Sequence, residues 1–247
     1  LYEAADMAKR GKVKSSHARE EAVARPFRPR KYEYHILIVC EDENTEPTYF
    51  GRFKDKFEQL LPEKTVFLFA KGTGRNSLGV VKYAVEMRQK MWEDENITFE
   101  QTWAVFDKDD LDLSPGNRSN FEDAFKVGES AGVSIAYSNE CFELWLLLHF
   151  TDVSDEQPIP RKDLYAKLEA MIRKCADPQF KYEHGNAAVL NYVQQYGNEA
   201  MAIQRAEALD AKQEKKGLAP IDSNPNTKVY KLVRELKAWY DYYAYEP

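Results

Sequence analysis

The chain has 247 residues, of which 43% are hydrophobic and 13% are aromatic, and its formal net charge at pH 7 is -6. This composition supports a buried core and excludes a protein that coats nucleic acid through bulk positive charge, although it is compatible with a local basic patch. The most apolar runs, residues 36–40 and 144–150, are far shorter than the roughly 20 residues that cross a bilayer. With three widely separated cysteines and no signal-peptide pattern, we expect a cytoplasmic protein without membrane segments.

The first 31 residues are rich in lysine and arginine and contain few bulky apolar side chains. Such a segment buries little surface, so we predict a flexible basic arm over residues 1–31. Two interpretations of the arm are equally favoured. It is either a tether for nucleic acid or a partner, or a solvated leader with no binding role.

The next segment alternates between apolar runs and amphipathic stretches. Apolar runs predict strands at residues 34–40, 65–70, 101–106 and 133–137. Spacing of 3.6 residues predicts helices over 45–61, 77–92 and 120–131. Strands that alternate with helices indicate a parallel α/β sheet flanked by helices, which we assign to a core domain at residues 32–150.

The second half of the chain has a different pattern. Residues 141–150 are too apolar for a surface helix, so we expect them to be buried against the sheet. Helical spacing follows at 164–172, 187–196, 199–215 and 229–243. We therefore predict that residues 151–247 form a helical C-terminal layer packed on the core.

Acidic residues follow two of the predicted strands. Glu41 comes directly after the first strand, and Asp107 and Asp109 come directly after the third. Because the carboxyl ends of parallel strands lie at one edge of the sheet, these carboxylates converge there and need a cation to neutralise them. Carboxylate ligands favour Mg²⁺ or Mn²⁺ over zinc. For Glu41 alone, helix capping is the better explanation, but the convergence of both groups favours metal-dependent cleavage of phosphodiesters.

Several segments together resemble the RloB-like proteins, a branch of the Toprim fold. They are residues 36–41, 43–50, 105–109, 136–150, 224–227 and 229–233. The resemblance implies a Toprim-like α/β core in which Glu41 is the Toprim glutamate and Asp107 and Asp109 are the aspartate pair. It also implies a role in phage defence beside an ATPase partner. Asp42 departs from many Toprim motifs, which have glycine after the glutamate.

Further candidates are weaker. Glu140 is a candidate ligand of a second metal, ahead of Glu143, but the first turn of a helix explains Glu140 equally well. Lys71 and Arg75, in a glycine-containing turn, could clamp a phosphate, although a simple turn is the favoured interpretation. Glu46 is a candidate ligand too, but a helix cap is the favoured interpretation. We interpret His149 as a core residue, and His184 lies in a loop without a recognisable partner.

The leading hypothesis is a Mg²⁺-dependent Toprim-type endonuclease that cleaves DNA or RNA, with tRNA a reasonable target, under the control of an ATPase. The alternative is a regulatory or scaffold subunit that binds a partner or nucleic acid without cutting. Nucleotidyl transfer is a third hypothesis, although the sequence contains no separate nucleotide-binding motif. The sequence leaves assembly into a homo-oligomer open.

Overall fold

The computed structural model describes residues 34–60, 66–109 and 115–244. The predicted basic arm at residues 1–31 lies outside this part of the chain. Within it, strands and helices alternate through the first half, and helices dominate the second half. No helix in the described ranges is long and apolar enough to cross a membrane.

The centre of the fold is a five-stranded sheet in the order β2-β1-β3-β4-β5. Its first four strands are parallel, and the short fifth strand pairs antiparallel with β4. The bounds are β1 Tyr34–Cys40, β2 Val66–Gly72, β3 Gln101–Asp107, β4 Ser134–Asn139 and β5 Asn226–Thr227. The sequence therefore predicts the parallel strands correctly and misses the antiparallel edge strand.

Within the described ranges, eight helices flank the sheet. They are α1 Thr45–Leu60, α2 Ser77–Glu95, α3 Pro115–Ala131, α4 Glu143–Leu148, α5 Arg161–Cys175, α6 Val189–Tyr196, α7 Glu199–Lys215 and α8 Val229–Ala244. Helix α2 is capped by an asparagine at each end. The Asn76 side chain accepts a hydrogen bond from the Gly79 N–H at its start, and Asn96 in the left-handed conformation closes it.

Two cores lie on opposite faces of the sheet because side chains alternate along each strand. Leu37, Val39 and Phe106 pack on one face against α2 and α3. Ile36, Ile38 and the other alternate residues pack on the second face against α1, α4 and the helices of the C-terminal half. Strand β1 is thus covered on both sides, which explains its continuous apolar sequence.

The short strand β5 is held by polar side chains. Its Asn226 amide donates to Asp210 of α7, to the Ser223 hydroxyl and to the Tyr137 hydroxyl. Asn224, just before the strand, donates to Glu140 and to the backbone carbonyl of Ile159. The asparagines of segment 224–227 therefore tie the C-terminal helices to the carboxyl edge of the sheet.

Candidate functional site

The site lies at the carboxyl edge of the sheet, where β1 and β3 end side by side. The backbone N–H of Glu41 donates to the Val105 carbonyl at 2.9 Å. In return, the Glu41 carboxylate accepts the backbone N–H of Asp107 at 3.0 Å. Glu41 and Asp107, two of the three carboxylates predicted at this edge, are therefore in direct contact.

Asp107 is the least satisfied group of the site. Its Oδ1 atom is buried and has no hydrogen-bond partner. Burial raises the pKa of its carboxyl well above the ordinary value, and the nearby carboxylates of Glu46, Glu143 and Glu41 raise it further. A buried polar oxygen without a partner is costly, so this atom is suited to a ligand that it can contact.

Glu41 and Glu46 share this acidic environment. Burial raises the pKa of Glu41 to about 7, although the bond from the Asp107 N–H opposes the shift. Glu46 is 1% exposed, and burial, followed by the charges of Glu41 and Asp42, raises its pKa well above the ordinary range. Its carboxylate accepts the Asp42 N–H at 3.2 Å, so it satisfies the loop before α1 as expected of a capping residue. Metal binding was the less favoured interpretation of Glu46, and the structure places this residue in the acidic cluster as well as at the start of α1.

Asp42 bends back onto its own loop. Its carboxylate accepts the backbone N–H groups of Asn44 and Thr45 at the start of α1. Asp42 does not have a positive φ, so its backbone does not require glycine, and its side chain stabilises the turn.

Asp109 differs from Asp107 although the two lie only two residues apart. It adopts a positive φ of 54°, and its backbone N–H donates to the Glu140 carbonyl at 3.0 Å. Its carboxylate forms an ion pair with Arg161, the first residue of α5. The charge of the same guanidinium partly offsets the rise in the pKa values of Glu41 and Asp107. Arg161 therefore places a protein cation at the predicted metal site.

Glu140 likewise has a protein cation beside it. The buried Lys108 ammonium lies 3.1 Å from Glu140 Oε1, and Asn224 donates to the same oxygen at 2.9 Å. The other oxygen, Oε2, is buried without a partner. Lys108 thus pairs with Glu140 and links the loop after β3 to the loop after β4.

The structure joins Glu143, the weaker candidate ligand, to Tyr165, Tyr182 and His184, which were not predicted as site residues. The buried Glu143 carboxylate accepts the Tyr182 hydroxyl and lies 3.7 Å from His184 Nδ1. The Tyr165 hydroxyl lies 3.1 Å from the same ring nitrogen. These contacts join α4, α5 and the loop after α5, which lie up to about 40 positions apart in the sequence. Only the polar Glu143 in an apolar run could have signalled them.

The turn that carries Lys71 and Arg75 packs on the loop after β1. The Thr73 hydroxyl donates to the Cys40 carbonyl at 2.8 Å, and the Gly74 N–H donates to the Glu41 carbonyl at 2.8 Å. A Cβ atom on Gly72 would lie 2.4 Å from the Asp42 carbonyl oxygen, so only glycine allows this approach. Lys71 and Arg75 are exposed and both lie over the Tyr83 ring, at 5.3 and 4.7 Å from its centroid. Their role as a phosphate clamp stays a prediction.

The described residues contain no group of three or more His, Cys, Asp or Glu side chains arranged to hold a metal ion. Mg²⁺, however, is often bound by one or two carboxylates together with water and substrate phosphates. Asp107 and Glu41 fit that smaller ligand set because they are adjacent, acidic, and include an unpartnered oxygen. Asp109 and Glu140, which already face Arg161 and Lys108, fit it less well.

The fold and the site define an α/β protein with a buried carboxylate cluster at the carboxyl edge of a mostly parallel sheet. The model of the family described as RloB-like protein matches residues 36–236, so the chain belongs to the RloB-like family. Membership indicates a defence-related protein. No curated protein and no solved structure matches the chain.

Proposed function

We propose that this protein is a Mg²⁺- or Mn²⁺-dependent endonuclease of Toprim type that cleaves DNA or RNA during defence. The observation that carries the proposal is the buried Asp107 oxygen, which has no partner and lies among Glu41, Glu46 and Glu143. Mutually repelling carboxylates without enough hydrogen bonds are expected where a cation or a phosphate-bound cation completes the site.

Each group has a separate task in this proposal. Asp107 and Glu41 would hold the ion, which when bound neutralises charge on the phosphodiester and lowers the pKa of a bound water. The exposed Lys71 and Arg75 supply positive charge for the nucleic-acid backbone on the neighbouring turn.

We further propose that an ATPase partner controls the enzyme. The support for a partner is the resemblance to RloB-like proteins together with the net charge of -6, which gives the chain little unaided attraction for a polyanion. A non-catalytic scaffold subunit is the second candidate. It is favoured by one observation, that Arg161 and Lys108 already neutralise two of the four predicted ligands.

The decisive experiment compares wild type with Asp107→Asn on DNA and total RNA in Mg²⁺, Mn²⁺ or EDTA, with and without the neighbouring ATPase. We expect metal-dependent cleavage by wild type and a loss of at least about 100-fold in the variant. The variant should melt at the same or a higher temperature because it carries one fewer like charge, but added metal should no longer raise its melting temperature.

Asp123→Asn is the matched control, since Asp123 forms an exposed ion pair with Lys126 on α3. It should cut at the wild-type rate. Wild-type cleavage in EDTA, or full cleavage by folded Asp107→Asn protein, would refute the nuclease mechanism. Defence that survives the substitution would favour the scaffold function.

A further inference from the structure

His184 is a largely exposed histidine whose Nδ1 atom contacts two side chains of the protein. This atom lies 3.1 Å from the Tyr165 hydroxyl and 3.7 Å from the Glu143 carboxylate. The ring also stacks on Tyr165, with centroids 5.7 Å apart and planes inclined by 21°. Its side chain is nevertheless 61% exposed, and within the described residues Nε2 has no hydrogen bond.

Glu143 is buried, with its side chain only 4% exposed, but it is held in the charged form. Burial alone would raise its pKa, yet the hydrogen bond from Tyr182 and the facing His184 imidazole, 3.7 Å away, outweigh that effect and lower it. The Glu143 carboxylate in turn raises the pKa of His184 against the opposing effect of burial. A buried carboxylate thus orients an exposed imidazole and favours its protonated form.

This pair lies beside the carboxylate cluster. The charge of Glu143 contributes to the raised pKa of Asp107, and the charges of Arg161 and Asp42 act on His184. The loop that carries His184 also approaches the loop after β1, since a Cβ atom on Gly185 would lie 3.9 Å from the Asn44 side-chain nitrogen. His184 therefore stands next to the loop that carries Glu41.

We infer that His184 is the general acid of the phosphodiester cleavage and that Glu143 is its positioning residue, an inference that rests on the proposed nuclease function. As the water oxygen forms its bond to phosphorus, the bond from phosphorus to the leaving oxygen breaks. The leaving oxygen takes the proton from His184 Nε2, and the attacking water gives its proton to solvent. Protonated His184 is then restored from solvent.

The test uses the full chain and two oligonucleotides of the same sequence around a mapped cleavage position. One has the natural leaving oxygen, and the other has sulfur in its place. A thiolate departs without taking a proton, so only the oxygen substrate needs a general acid. We expect His184→Gln to slow cleavage of the oxygen substrate by about 100-fold or more, while the sulfur substrate stays within ~3-fold of wild type.

The matched control is Glu183→Gln, an exposed neighbour in the same loop, which should stay within ~2-fold of wild type on both substrates. An equal loss on both substrates would make His184 a binding residue and overturn the inference, as would full activity of His184→Gln. Wild-type protein that cleaves neither substrate in Mg²⁺ or Mn²⁺ would instead refute the proposed function itself.

Glu143→Gln tests the positioning role separately. It should lower the pKa of His184, followed by NMR of histidine-labelled protein, and should slow cleavage of the oxygen substrate more than that of the sulfur substrate. An unchanged His184 pKa in folded Glu143→Gln protein would contradict this role.

Discussion

At the scale of single residues, His149 shows how burial controls a charge. Its side chain is 5% exposed, Nδ1 lies 3.0 Å from the Trp145 carbonyl oxygen, and the rings of Tyr49 and Trp145 surround it. Burial lowers its pKa to about 4. His149 is therefore a neutral core histidine at physiological pH, as its apolar sequence context indicates.

This shift predicts a pH-dependent stability. Between about pH 6.5 and 4 the unfolded chain carries a proton on His149 and the folded protein does not, so the free energy of unfolding falls as pH falls through this window. Urea denaturation at pH 7 and at pH 4.5 measures the fall in the free energy of unfolding between the two conditions. We expect this fall to be about 2–3 kcal/mol smaller in His149→Gln than in wild type. Equal decreases in the two proteins would contradict the assignment.

Asp107 and Asp109 show what a residue's position in the sequence leaves open. Both follow the same strand, and both are predicted from the sequence to be metal ligands. The structure gives Asp107 a buried, unpartnered oxygen and gives Asp109 a cation from α5. The adjacency of Glu41 and Asp107 was predictable because parallel strands end at one edge. The approach of Arg161 was not, because it depends on how a helix 50 positions later packs.

At the scale of elements, Asp210 connects three parts of the C-terminal half. This buried aspartate of α7 accepts hydrogen bonds from Asn226 of β5, from Lys228, and from Tyr230 of α8. These bonds lower the pKa of its carboxyl against the opposing effect of burial. The network fixes β5 beside β4, and with it the loop of Asn224 that contacts Glu140.

Asp210→Asn should therefore destabilise the fold. The substitution leaves the Lys228 ammonium facing an amide, although Glu214 at 3.0 Å remains as a partner, so we expect a loss of about 2–4 kcal/mol in the free energy of unfolding. Urea denaturation measures it. Glu207→Gln on the same helix removes an exposed ion pair with Arg234 and should cost less than about 1 kcal/mol. Similar effects of the two substitutions would show that the network is not what holds β5.

Sequence patterns predicted elements with a continuous apolar run better than elements without one. The four parallel strands begin and end within two residues of their predicted bounds, since each carries a continuous apolar run. Helix α3 begins at Pro115, five residues before the prediction, and the apolar segment 141–150 contains a helix only over Glu143–Leu148. Strand β5 has two polar residues and no periodicity, so only its distant side-chain partners could reveal it.

At the scale of the whole molecule, the two predicted segments 32–150 and 151–247 share one core. Trp145 and the leucines of α4 are buried against side chains of α5, α7 and α8, including Leu168, Ala206 and Leu232. Residues 33–247 form one compact unit. The helical layer is thus part of the hydrophobic core as well as a source of the site residues Arg161 and His184.

A fragment of residues 33–150 should consequently fail to fold alone. Removing the later helices would expose one face of the sheet and the apolar α4, an area too large for a stable monomer. We expect the short fragment to show poor chemical-shift dispersion in its NMR spectrum and to bind a hydrophobic dye strongly. Residues 33–247 should give a well-dispersed spectrum. A dispersed spectrum from the short fragment would contradict this expectation and support an independent core domain.

The close approach of Gly72 to the loop after β1 affects how natural variation at this position should be interpreted. Any side chain there would collide with the backbone of Asp42 and Glu43 and displace Glu41. Related proteins that keep this loop geometry should therefore retain glycine at position 72 whether or not the turn binds phosphate. An invariant Gly72 among homologues would therefore be explained by backbone packing alone. Whether Lys71 and Arg75 vary is the better test of ligand binding at this turn.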